Sequence, residues 1–178
     1  KDVNLGRRAS EQLVKSTDLS QYRVVMFATH GLVPGELPDL PQPALALSNP
    51  NLTNEKEDGF LTLAEILELK LNADWVVLSA CNTASADGHA SEAVSGLGRA
   101  FFYAGAKALL VSHCPVETVS AKLLTTELFK RQSANAKLSR AQALREASLA
   151  VMRQSAGSSY SYAHPMFWAP FVVFGDGG

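Results

Sequence analysis

Residues 75–84 read WVVLSACNTA, and residues 24–31 read VVMFATHG. Each is a run of apolar, largely β-branched residues that ends at a reactive side chain, Cys81 in one and His30 in the other. β-Branched residues suit the pleated backbone, and an apolar run without alternation predicts a strand buried on both faces. Two such strands, one ending in a thiol and the other in an imidazole, decide the fold and raise the functional question together.

Outward from these runs the chain alternates. Residues 8–17 predict a short helix, and Arg23–Ala28 a fully buried strand. The stretch 31–43, GLVPGELPDLPQP, carries four prolines and predicts an irregular loop. Ala44–Leu47 predicts a short strand, followed by a polar loop through Gly59. Thr62 with Glu65 forms a capping box ahead of LAEILEL. After the strand Trp75–Ser79, Ser91 is the expected cap of a helix that Gly105 ends. Ala108–Ser112 is a third buried strand. Val119, Leu123, Leu124 and Leu128 give Glu117–Gln132 helical spacing, and Ser139 with Gln142 opens a helix that runs to about Arg153. Phe171–Phe174 is the last strand.

Strands alternating with helices, each strand apolar throughout, predict an α/β fold. The expected form is a three-layer α/β/α sandwich with a mostly parallel sheet and helices on both faces. Such sheets bind ligands beyond the carboxyl ends of their strands, and His30, Cys81 and the pair His113–Cys114 all fall there. The 178 residues fit one domain, 1–178, and the start at Lys1 suggests a piece of a longer protein.

Composition removes several classes. The chain is 47% hydrophobic and 19% charged with a net charge of −1, so it has no electrostatic footprint for nucleic acid or an anionic membrane. No apolar run reaches the ~18 residues that span a bilayer. No signal peptide is evident, and two cysteines at 81 and 114 make no disulfide framework. A reduced, cytoplasmic setting is the expectation.

The thiolate is the nucleophilic form of cysteine, and a neighbouring imidazole favours it. Adjacent strands lie ~4.8 Å apart, so side chains leaving two neighbouring strand ends can meet. Alone, Cys81 reads first as a small buried hydrophobe and His30 first as a hydrogen-bonded rim residue. Together they gain weight, because Thr29, Gly31 and Ala80 leave room for a substrate backbone. Gly31 can also bring its N–H close to a reacting oxygen, as can the Cys81 N–H.

Five stretches carry a resemblance: YRVVMFATHG, ADWVVLSACNT, GLGRAFFYAGAKALLVS, AQALREA and HPMFWAPFVVFG, spanning Tyr22 to Gly175. The His-Gly and Ala-Cys blocks, with their 51-residue separation, resemble those of caspase-like cysteine peptidases. The closer match is to the CHAT domain, a separase-related bacterial peptidase domain often joined to tetratricopeptide repeats. The resemblance implies that His30 is the catalytic histidine and Cys81 the nucleophile, with Gly31 and Cys81 as oxyanion donors. It implies a protein or peptide substrate, no cofactor, and further domains such as repeats in the parent chain. It also implies that the N-terminal part of a typical domain is missing. Two departures border the cleft: Cys114 stands where the family usually has tryptophan, and the loop TASADGHAS lacks the family's double glycine.

The remaining candidates follow from position. Ser79 precedes Cys81 by two residues and so shares its face of the strand. With Ala80, Asp87, Ser112, His113 and Cys114 it makes the expected substrate-binding set, and Glu92 and Glu117 are further rim carboxylates. Two cysteines and two histidines suggest zinc, but no C-x₂-C or H-x₃-H element is present and a closed site would consume the nucleophile. No metal is expected. Cys114 could pair with Cys81 in redox chemistry or simply line the cleft. His89 is expected in a polar loop, and His164 in a turn before Pro165. Three functions are open: a cysteine endopeptidase, a non-catalytic scaffold with the same fold, and a small-molecule cysteine amidase.

Overall fold

Four strands form the central sheet in the order β1-β5-β6-β7: Val24–Phe27 (β1), Trp75–Leu78 (β5), Ala108–Ser112 (β6) and Phe171–Gly175 (β7). This is a computed structural model that describes residues 2–79, 89–112, 116–154 and 161–177; the side chains of 89–95 are outside that description. β1, β5 and β6 run parallel, and β7 returns antiparallel to β6. Every β5 and β6 residue is buried, as continuous apolar runs demand when both faces are covered.

Two apolar cores lie on the two faces. On one, Val25, Phe27, Val76 and Leu78 meet Ile66 of α3 (Leu63–Glu68) and Leu97, Ala100, Phe101 and Ala104 of α4 (His89–Tyr103). On the other, Trp75 and Val77 meet Leu124 and Leu128 of α5 (Thr118–Ala134) and Ala143, Ala147 and Val151 of α6 (Arg140–Met152). Each Val, Leu, Ile or Phe among them contributes roughly 1.5–3 kcal/mol by leaving water. The expected sandwich with helices on both faces is therefore present.

The helix ends follow the sequence signals. Thr62–Glu65 and Ser139–Gln142 both close reciprocal capping boxes. Gly105 ends α4's turn at φ +112, and a Cβ there would lie 2.2 Å from the Leu71 carbonyl oxygen, so only glycine fits. α1 (Glu11–Ser16) falls inside the predicted 8–17 helix.

Several expectations need correction. β1 is not buried throughout: among the described residues it is an edge strand, and Val24 and Met26 are 42% and 49% exposed. α4 starts at His89 rather than after Ser91, so His89 lies in a helix and not a loop. On α5 Ser120 is buried while Val119 is exposed. The loop 31–43 begins with a short strand, β2 (Gly31–Leu32). With β3 (Ala44–Ala46) and β4 (Phe60–Thr62) it makes an antiparallel second sheet that the sequence does not announce. A one-turn helix, α2 (Pro50–Thr53), sits in the loop between β3 and β4, capped by Asn49. This second sheet matters for the site because it holds the backbone of His30, three residues past β1.

Candidate functional site

His30 lies three residues past β1 and immediately before β2. Its carbonyl accepts the Ala46 N–H at 2.9 Å, and the hydroxyl of Thr29 donates to the Ala46 carbonyl. The histidine backbone is thus gripped by β3 from the second sheet. Because His30 and Ala46 form the hydrogen-bonded pair, Gly31 opposite Leu45 falls in the alternate position, where an antiparallel ladder turns the N–H away from its partner strand.

On the adjacent strand, Ser79 gives its N–H to the Phe27 carbonyl at 3.1 Å. Both strand ends open into one cleft of about 440 Å³. Its floor is Met26, Ala28 and Ser79, His30 and Thr29 stand at one end, and Thr118, Ala121, Lys122 and Thr125 of α5 make the wall. These α5 positions recur at the spacing of one helix face. Met26, on the exposed face of β1, is therefore part of the cleft floor.

Among the described residues no carboxylate lines the cleft, and Lys122 is its cation. Glu117 is committed elsewhere: it caps α5, accepting the Val119 and Ser120 N–H groups at 2.8 and 2.7 Å. Burial opposes its ionisation, but those N–H groups hold its carboxyl below the usual range. Glu117 lines a second cavity of about 820 Å³ with His164, Met166 and Phe167. There Nδ1 of His164 accepts the Met166 N–H at 3.2 Å, in the turn expected for it.

The remaining predicted positions divide. Ser112 is buried at the end of β6. Cys81, Ala80, Asp87, His113 and Cys114 lie outside the described residues, as does the side chain of Glu92. The sequence reading missed the α5 wall, above all Lys122, and the role of Thr29. The signal for the wall was the small and polar stripe Thr118, Ala121, Lys122, Thr125, which reads equally as a solvated helix face. Among the described residues one group could hold a cation, the carboxylates of Glu11, Glu57 and Glu65, and Lys15 already sits among them.

A mostly parallel α/β sheet with helices on both faces, and a histidine at the carboxyl end of one strand, is consistent with a caspase-like α/β fold. Residues 1–176 match the family model described as the CHAT domain. The chain belongs to that family. Among curated proteins it is similar to tetratricopeptide repeat protein 28 of Mus musculus, 33% identical over 116 residues, which is 65% of this chain and 4% of the relative. The protein of the same name from Homo sapiens is 34% identical over 120 residues, covering 67% and 4% respectively. The chain thus spans only a small part of the curated relatives it matches. No helix among the described residues is long and apolar enough to cross a membrane.

Proposed function

We propose that this domain is a cysteine endopeptidase in which His30 is the general base and Cys81 the nucleophile. The imidazole takes the thiol proton, and the thiolate attacks a peptide carbonyl to form a carbon–sulfur bond. The N–H groups of Gly31 and Cys81 hold the oxyanion. The intermediate collapses, the imidazolium gives its proton to the leaving amine, and the carbon–nitrogen bond breaks. Water, activated by His30, then releases the acyl group.

One observation carries the reading. Each residue of β1 faces the residue 51 positions later, from Val24 opposite Trp75 to Phe27 opposite Leu78, and Cys81 follows His30 by the same 51. The strand register and the spacing of the two reactive residues are one number. Membership of the CHAT family supports the same pair. An open cleft beside His30 suits an extended chain better than a small molecule, which disfavours the amidase. A reduced, cytoplasmic setting suits a free thiolate, and a parent chain with tetratricopeptide repeats fits the named relatives.

A second reading is favoured by those names, which describe repeats and no hydrolase: a scaffold that keeps the fold without the chemistry. A library of peptidyl acyloxymethylketones separates the two. The endopeptidase forms a thioether at Cys81, with a rate that depends on the peptide and is lost in His30→Ala. No adduct with any peptide supports the scaffold, and a rate indifferent to the peptide part supports the amidase.

A further inference from the structure

Between the N-terminal helix and the cleft runs a series of hydrogen bonds that the dyad chemistry does not require. Glu11 opens α1 and is only 1% exposed, a rare place for a carboxylate. Its Oε2 accepts the Gly59 N–H at 2.9 Å. The Gly59 carbonyl accepts the Leu47 N–H at 2.7 Å, and Ala46, one residue back, gives its N–H to the His30 carbonyl. Resting on the reading of His30 as the base, we propose that Glu11 is a positioning residue for it. The buried carboxylate fixes the β3–β4 connection at Gly59, and β3 in turn fixes the backbone that carries the imidazole.

The local geometry leaves little slack in this linkage. Gly59 has φ +86, and a Cβ there would lie 2.9 Å from the Ser48 carbonyl oxygen. A second tie runs in parallel, since the Ser48 N–H donates to the Ala9 carbonyl at 3.0 Å and its hydroxyl to the same oxygen at 2.9 Å. The N-terminal segment therefore clasps the hairpin at two adjacent points.

Charge around Glu11 tells how it can hold Gly59 while buried. Lys15 Nζ lies 3.2 Å from Glu11, 3.0 Å from Glu57 and 3.0 Å from Glu65, and Ser10 of the same segment donates to Glu55 at 2.7 Å. One ammonium faces three carboxylates, so one of them gains by taking a proton. Burial first, then a hydrogen bond shared with Glu65, pushes Glu11 up to about 7. A protonated Glu11 accepts from Gly59 with one oxygen and offers its proton to Glu65 with the other. Glutamine can make the same two bonds; leucine can make neither.

Amide hydrogen exchange on the 178-residue chain tests the linkage. Glu11→Leu should speed exchange at Ala46 and Leu47 about tenfold or more, with Leu124 and Leu128 on α5 unchanged. Gly59→Ala, which leaves Glu11 in place, should do the same. Glu11→Leu should also slow Cys81 alkylation, whereas Glu11→Gln should keep both the protection and the alkylation rate of the wild type and remove any change in that protection between pH 6 and 8. Unchanged exchange at Ala46 in the leucine and alanine variants overturns the proposal. So does an equal loss of protection at Leu124 and Leu128, which would make Glu11 a general stabilising residue. Failure of the dyad itself shows differently, as Cys81 alkylation that His30→Ala leaves unchanged.

Discussion

β1 and β5 are both four-residue apolar runs, VVMF and WVVL, and they meet opposite fates. β5 is buried at every position, whereas β1 alternates, with Val24 and Met26 open to solvent. The difference lies in neighbours. β5 has a strand on each side and a helix layer on each face; among the described residues β1 has one strand neighbour, and α5 stands off from its outer face. An apolar run thus marks a strand without marking its place in the sheet. Here the less buried strand contributes part of the cleft floor and the histidine, and the fully buried one anchors the serine beside it.

If the two strands serve one reaction, their reactive ends behave as a unit. Cys81→Ala should abolish peptide cleavage, and His30→Ala should lower kcat by roughly 10²-fold or more. The double variant should be no worse than the poorer single one. Steady-state kinetics checks this, and additive losses would break the pairing of the strand ends.

The difference in burial predicts a difference in stability. Leu78→Ala in β5 removes a side chain that is 2% exposed and should cost ~2–5 kcal/mol in urea denaturation. Met26→Ala in β1 should fall within about 0.5 kcal/mol of wild type, while altering KM for peptides. Equal costs would mean that the outer face of β1 is covered.

At the shared floor, Ser79→Asp should raise cleavage after Arg or Lys relative to uncharged residues by roughly tenfold, equivalent to ~1.4 kcal/mol. The native cleft has no lining carboxylate among the described residues, and a buried unpaired cation is costly. Strict Arg selectivity in the wild type, retained after Asp87, Glu92 and Glu117 are changed to their amides, would contradict this account of the pocket.

A further difference lies in pH dependence. The folded chain keeps a proton on Glu11 up to about 7, well above the ordinary 4.5 of a glutamate, so the fold takes up a proton that the unfolded chain has released. Stability from this group is fully present below 4.5 and is lost as pH rises through 7. Glu65 acts in the other direction. Burial opposes its charge, but bonds from Thr62 and Lys15 bring it to about 2, so its contribution is present above 4.5 and lost as pH falls toward 2. Glu11→Gln should flatten the decline between 4.5 and 7 in thermal melts and leave the acid limb in place.

The long apolar strands, both capping boxes and the Gly105 stop were legible because each rests on local chemistry that tertiary contacts reinforce. β3 was legible as the short run Ala44–Leu47, but β2, β4 and the pairing of the three were not, since runs of two or three residues carry no period and their pairing is settled by contacts far apart in sequence. The antiparallel return of β7 and the edge position of β1 are likewise properties of neighbours. Of the site, His30 and Ser79 could be read from strand ends. Lys122 and Thr125 could not, because a polar stripe on a helix looks the same whether it faces water or a cleft. Glu117 read as a free rim acid, and its capping role appears only once the start of α5 is placed.

The most direct measurement is the rate of iodoacetamide modification at each cysteine at neutral pH, in wild type and in His30→Ala. If the ends of β1 and β5 form one site, Cys81 reacts faster than Cys114, and loss of the imidazole slows Cys81 while leaving Cys114 unchanged. Equal rates at the two thiols, indifferent to His30, would contradict it.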